Sequence, residues 1–230
     1  MTTDTETQST TPDKPVLILG ATSGIGALAV NEALSRGLRV RGFARGADAM
    51  DPRDGLEPFV GDAQDPADLA RALDGVGAVI YALGVKERPA MIWQQETLFS
   101  RTTAALLDAM RATHTTRLVA VTGFGAGRSR DAMSTLEKLG HNAVLGRVYD
   151  DKSRQESLIM ESGLDWTIVR PVILTNGPRT GTARVLRASD EWRNGLISRS
   201  DVAAYVVEAV IDRLRRAISR LHAGDVAVPL

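Results

Sequence analysis

The chain contains no cysteine. Disulfides, thiolate zinc sites, iron–sulfur clusters and a cysteine nucleophile are therefore excluded. A reducing cytoplasm suits such a composition and is the expected location. Only three histidines occur, His114, His141 and His222, and none has a neighbour at metal-ligand spacing, so no metal is expected. Charge of one sign is missing as well: Lys+Arg and Asp+Glu both number 28. A balanced chain gives no electrostatic footprint for nucleic acid or an anionic membrane as partner. No apolar run approaches the roughly 18 residues that a membrane helix needs. No G-x-S-x-G elbow occurs, which disfavours Ser-His-Asp chemistry.

What remains is an ordinary globular composition of 230 residues, 43% hydrophobic and 24% charged. Residues 1–14 are polar with nothing to bury and read as a disordered tail. Residues 15–230 read as one domain. Short aliphatic runs alternate with helical patterns. Strands are expected at PVLILG (15–20), LRVRGFAR (38–45), FVGD (59–62), AVIYALG (78–84), RLVAVT (117–122) and DWTIVRPVIL (165–174), with a short last one in DVAVPL. Helices are expected after Gly24, from Asp65 to Gly75, from Ile92 to Ala112, from Asp150 or Asp151 to Gly163, and from Ser198 or Ser200 onward. Residues 123–149 and 174–197 read as less regular. The alternation predicts an α/β fold: a doubly wound parallel sheet of Rossmann type, with ligands at the carboxyl edge.

The most informative segment joins the first strand to the first helix: Gly20-Ala21-Thr22-Ser23-Gly24-Ile25-Gly26. Glycines there permit a tight turn and close backbone approach to a pyrophosphate, while the helix N-terminus offers unpaired N–H groups. The spacing G-x-x-x-G-x-G is neither G-x-G-x-x-G nor a P-loop, which would need a Lys after the last glycine. The second strand ends at Arg45, with no acid until Asp48. A carboxylate at that position would accept from a ribose 2′-hydroxyl; a guanidinium instead pairs with a 2′-phosphate. NADP(H) is thus expected over NAD(H), with Arg39 and Arg41 adding positive potential. Asp62, after the third strand, reads either as an acceptor for the adenine amino group or as a turn residue. Small residues at Ala82-Leu83-Gly84 leave room for a ribose.

VLILGATSGIG, GDAQDPADLARALDGVGAVIYALG and SGLDWTIVRPVILTNGP together resemble the short-chain dehydrogenase/reductase superfamily. They most resemble its atypical NAD(P)-binding branch, which includes the NmrA-like and the flavin reductase/biliverdin-IXβ reductase types. The resemblance runs from about Val16 to the end. It implies Gly20, Thr22, Ser23, Gly24, Ile25 and Gly26 on the pyrophosphate and Arg45 on the 2′-phosphate. It further implies Asp62 and Ala63 at the adenine, Ala82, Leu83 and Gly84 along the adenosine ribose, and Thr122, Lys152 and the segment from Pro171 through Ile173 to Leu174 around the nicotinamide half.

The departures from that superfamily shape the functional expectation. Its active members carry a Ser after the fifth strand and a Tyr-x-x-x-Lys on the next helix. Here Gly123 stands at the serine position. Lys152 matches the lysine, but Val148 stands four residues before it and Tyr149 three before it. Asp150-Asp151-Lys152 is similar to the flavin-reductase type, which also lacks the tyrosine. The expected function is an NADPH-dependent oxidoreductase passing hydride to a small conjugated acceptor such as a flavin, quinone or carbonyl compound. Lys152, Tyr149 and Thr122 are the candidate catalytic residues. The alternative is an NADP(H)-binding redox sensor of NmrA-like type without efficient catalysis. The expected partner is a small-molecule acceptor, and the expected state a monomer or homodimer. His141, Arg128 and Arg130 read as surface residues before they read as site residues. Met91, Trp93 and Trp166 read as packing.

Overall fold

The computed structural model describes residues 14–84, 97–130, 135–216 and 226–228. Residues 1–13 of the expected tail, together with Met91 and Trp93, lie outside the described residues, as do the side chains of Arg128, Arg130 and His141.

Seven strands form a parallel sheet: β1 (Val16–Leu19), β2 (Val40–Ala44), β3 (Leu56–Val60), β4 (Ala78–Tyr81), β5 (Arg117–Val121), β6 (Asp165–Pro171) and, last in the chain, β9 (Val226–Val228). Their spatial order is β3-β2-β1-β4-β5-β6-β9. β1 pairs in register with β2 on one side (Leu19 opposite Phe43) and with β4 on the other (Leu19 opposite Tyr81). The chain first winds outward from β1 to β3, then returns and winds the other way from β4. That reversal opens a crevice beyond the carboxyl ends of β1 and β4, where this class of sheet binds ligands.

Helices cover both faces. α1 (Gly24–Ser35) and α5 (Arg199–Arg216) pack together over one face, on Val16, Ile18, Val40, Ile80, Val119 and Val169. α2 (Pro66–Leu73), α3 (Leu98–Ala112) and α4 (Thr135–Met160) cover the other, on Leu17, Leu19, Phe43, Val79, Leu118 and Ile168. Odd and even strand residues thus feed two separate cores, as the strands' continuous aliphatic character requires.

Local chemistry sets the helix ends. α1 stops at Gly37, whose φ is +75°: Leu38 N–H reaches Ala33 O at 3.0 Å and Gly37 N–H reaches Leu34 O at 2.9 Å, a Schellman closure. Asp65 caps α2 by accepting from Ala67 N–H at 2.9 Å, with Pro66 at the first helical position. Ser198 caps α5 by accepting from Asp201 N–H at 2.9 Å.

Three expectations need correction. The third strand is Leu56–Val60, displaced toward the amino end of the expected 59–62; it is the sheet edge, where pairing with β2 rather than burial selects the residues. α4 begins at Thr135 instead of near 150, so half of it falls in the stretch read as irregular. Gly140 and Gly146 dilute the apolar pattern by which a helix is recognised there. Residues 174–197, read as less regular, hold a short ladder at their two ends. β7 (Ile173–Thr175) leaves the main sheet and pairs in parallel with β8 (Leu196–Ser198).

Candidate functional site

The glycine turn has the shape a diphosphate requires. Gly20 has φ +86°, and a Cβ there would lie 2.7 Å from Ala82 O on the neighbouring strand end. A Cβ on Gly26 would overlap the Gly20 carbonyl oxygen and lie 2.7 Å from its carbon. Gly20 and Gly26 therefore let the start of α1 lie directly on the ends of β1 and β4. Gly24 differs: its φ is +56°, yet nothing stands within 4 Å of where its Cβ would be. Open space at the first turn of a helix is where an anion can meet the N–H groups. Ser23, preceding that turn, makes no side-chain cap bond. Side-chain-free backbone, positive φ and unfilled space in front of it together fit a dinucleotide pyrophosphate.

Arg45 follows β2 directly and is exposed, at the same carboxyl edge as the glycine turn. Arg39 and Arg41 do not join it. Arg39 precedes β2, at the amino end of the sheet. The Arg41 guanidinium bonds Ala72 O and Asp74 O at 2.8 and 2.7 Å and pairs with Glu57 at 2.9 Å, so it ties α2 to the edge strand. The expected shared positive potential thus reduces to Arg45. Asp62 makes a turn: its Oδ1 accepts from Gln64 N–H at 2.9 Å, while its own N–H reaches Asp68 at 2.8 Å. Ala63 is buried against Phe43 and Leu69 in the α2 core. Ala82 and Leu83 are partly exposed and Gly84 is exposed beyond β4.

On the other side of the crevice, β5 and α4 bring Thr122, Tyr149 and Lys152 together. Lys152 Nζ donates to Thr122 O at 2.7 Å and lies 5.1 Å from the Phe99 ring centre and 5.7 Å from that of Tyr149. Burial pushes the Lys152 ammonium down to about 8, with the Glu156 carboxylate one turn along α4 acting in the opposite sense. Tyr149 turns its hydroxyl to the Gly123 backbone. The i, i+3 spacing thus places both groups on one side of α4. The other two tyrosines lie on other elements, Tyr81 on β4 with its hydroxyl 3.5 Å from Phe99 O. Burial drives the Tyr81 phenol far above its ordinary range, and Tyr205 lies on α5 across the sheet.

The Thr122 hydroxyl is turned into the protein. It donates inward to Glu156 Oε1 at 2.6 Å. Its carbonyl is what serves Lys152. Ile173 lies on the small β7–β8 ladder with 57% of its surface exposed, opposite Leu196, whereas Pro171 is buried as the last residue of β6.

Several important residues were not legible beforehand. Glu156 and Arg170 are both fully buried and form a two-pronged ion pair, with Arg170 Nε 3.1 Å from Oε1 and Nη2 3.0 Å from Oε2. Arg170 also stacks over Trp192 at 5.3 Å, joining the loop before β8 to the floor of the site. Gly127, at φ +48°, leaves no room for a Cβ beside the Glu156 carboxylate. Asp151 caps α3 from the neighbouring helix, accepting from Phe99 N–H at 2.8 Å and from the Ser100 hydroxyl at 2.5 Å. Two signals were available: the alternation Gly123-x-Gly125-x-Gly127, and an arginine inside the apolar run WTIVRP. Asp201 anchors the loop after β7. Burial opposes its charge, but bonds from Gly181 N–H, Ser198 and Thr180 outweigh that and hold its carboxyl below the ordinary value.

Residues 20–213 match the model of a family described as NAD(P)H-binding. The chain belongs to the NAD(P)H-binding family. An uncharacterized chloroplastic protein of Arabidopsis thaliana is 31% identical over 216 residues, covering 90% of this chain and 75% of that one. Among solved structures, ChuY of Escherichia coli O157:H7, an anaerobilin reductase, is 26% identical with a TM-score of 0.74, covering 94% of this chain and 96% of that one. A short-chain dehydrogenase/reductase of Veillonella parvula, in complex with NADP, shares the fold at 20% identity and a TM-score of 0.74, covering 94% of each chain. The family match agrees with the NAD(P)-binding resemblance of the sequence. Among the described residues no helix is long and apolar enough to cross a membrane, and no acidic or histidine cluster suits a metal ion.

Proposed function

We propose that this family member is an NADPH-dependent reductase of small conjugated acceptors: a flavin, a quinone or a related carbonyl compound. The observation that carries the reading is the convergence of Lys152 and Tyr149 beside the end of β5, across the sheet's reversal point from a glycine turn whose Gly20 and Gly26 leave no room for a Cβ. The similarity to a reductase at 26% identity supports the same class.

In this reading the backbone N–H groups of Gly24, Ile25 and Gly26 hold the pyrophosphate, with Thr22 and Ser23 beside it. Arg45 pairs with the 2′-phosphate and so favours NADP(H) over NAD(H). Asp62 and Ala63 border the adenine, and Ala82, Leu83 and Gly84 lie along its ribose. Lys152 orients the nicotinamide ribose, and Pro171 borders the ring. The bound nicotinamide supplies a hydride, that is, two electrons and one hydrogen. The Tyr149 phenol supplies the matching proton: its O–H bond breaks as an O–H or N–H bond forms on the acceptor. The phenolate is reprotonated from solvent, and the adjacent Lys152 ammonium lowers the cost of the transient negative charge.

The test is direct. Purified protein mixed with NADPH and either FMN or a naphthoquinone loses reduced-nicotinamide absorbance catalytically. Tight NADPH binding without turnover on a broad acceptor panel would favour the redox-sensor reading instead. Gly123 at the end of β5, which offers no hydroxyl, is the feature that motivates this second reading.

A further inference from the structure

We infer that Gly123 is a positioning residue: its missing side chain is what admits the Tyr149 hydroxyl to the end of β5. The inference rests on the reductase reading and extends it to a residue that touches no reacting atom.

Glycine is not needed at 123 for backbone reasons. The neighbouring Gly125 and Gly127 have φ of +105° and +48°, whereas Gly123 is not among the positive-φ residues. Nor is the backbone free to move aside. Thr122 N–H bonds Val169 O at 2.9 Å, Phe124 N–H bonds Pro171 O at 2.9 Å, and Gly123 O accepts from Ala126 N–H at 3.1 Å. What occupies the side-chain volume is Tyr149. A Cβ at 123 would lie 2.9 Å from its hydroxyl oxygen, but 3.3 and 3.4 Å from the nearest ring carbons. The first distance is below van der Waals contact; the others are merely tight. A methyl group there therefore conflicts with the hydroxyl far more than with the ring. The hydroxyl is the far end of a half-buried side chain, whereas the strand end is pinned by the bonds of Thr122 and Phe124 to β6. The side chain, not the fold, gives way.

The same geometry explains how a tyrosine three residues before Lys152 can serve. The hydroxyl fills the space beside the β5 end that a side chain on the strand would otherwise take. Lys152 stands against the same ring at 5.7 Å. Among the described residues, the groups facing that ammonium are Glu156 and Tyr149 from α4, Phe99 from α3 and Thr122 O just after β5; Arg170 on β6 pairs with that Glu156.

The experiment is a double-mutant cycle of Gly123→Ala and Tyr149→Phe, read in two ways. The first needs no turnover: in protein with ring-labelled tyrosine, the Tyr149 resonance, assigned by its loss in Tyr149→Phe, shifts in Gly123→Ala, while Tyr81 and Tyr205 stay in place. The second is kinetic, with NADPH and a naphthoquinone. Each single variant loses about 100-fold in kcat, in the range typical of a lost general acid. KM for NADPH stays within about 3-fold, as expected when an interaction made only in the transition state is removed. Because both changes remove the same hydroxyl, the double variant is no slower than Tyr149→Phe. An unshifted Tyr149 resonance overturns the geometry. A shifted resonance with undiminished kcat overturns the positioning role and leaves the reductase reading standing. No turnover by the unmodified protein on any acceptor overturns the reductase reading itself, and this inference with it.

Discussion

Substituting Gly26 by alanine separates a glycine kept for space from one kept for backbone conformation. The new methyl carbon would lie 2.7 Å from the Gly20 carbonyl carbon and would overlap its oxygen. Carbon atoms settle at roughly 3.5–4.0 Å. The first turn of α1 must therefore move about 1 Å from the end of β1, and neither atom belongs to a flexible side chain. Overpacking of this kind costs about 1–3 kcal/mol. The matched control is Gly24→Ala, where nothing lies within 4 Å but φ is +56°. Its cost is the left-handed strain alone, about 1–2 kcal/mol. Denaturant unfolding measures both costs, and fluorescence titration with NADPH measures the consequence for binding. Gly26→Ala should weaken NADPH binding at least about 10-fold, because the displaced groups are the N–H donors that face the phosphates. Wild-type affinity in Gly26→Ala would refute the claim that these amides grip the pyrophosphate.

Other variants report on the buried groups around the site. Lys152→Met should stabilise the protein at neutral pH by up to about 3 kcal/mol, because a folded-state value near 8 against 10.5 penalises the charged form on folding. The unfolded chain then binds more protons between those two values, so wild-type stability should rise with pH from about 8 to 10.5, and that rise should vanish in Lys152→Met; unfolding midpoints across that window decide it. Asp151→Ala removes the cap of α3 and leaves Phe99 N–H buried without its acceptor, at about 2 kcal/mol by denaturant unfolding. His114→Gly should stabilise by about 1 kcal/mol, since His114 closes α3 with φ +56°, the conformation glycine adopts without strain; an unchanged or lower melting temperature would contradict this.

How far the sequence carried this description depends on what each residue interacts with. The fold was legible because buried parallel strands are short, continuous and aliphatic, as in VLIL and AVIY, and because caps such as Asp65 and Gly37 act through neighbouring residues. The glycine cradle was legible for the same reason. The Glu156–Arg170 pair was not: fourteen positions and a change of element separate its members. Nothing local distinguishes a buried, doubly bonded glutamate on α4 from a solvated one. Asp151 misled in the same way. It read as part of a motif leading to Lys152, whereas it holds the start of a helix fifty-one residues earlier. Tyr149 lay one residue from its expected position, and only the absent side chain of Gly123 shows how that offset is absorbed.

Isothermal calorimetry with NADPH and NADH tests the central claim most directly: that the backbone of the first glycine turn holds a dinucleotide whose 2′-phosphate meets Arg45. The account predicts one site per chain and NADPH binding at least about 10-fold tighter than NADH, a preference that collapses in Arg45→Ala. No heat with either nucleotide, or an NADPH preference untouched by Arg45→Ala, would contradict it.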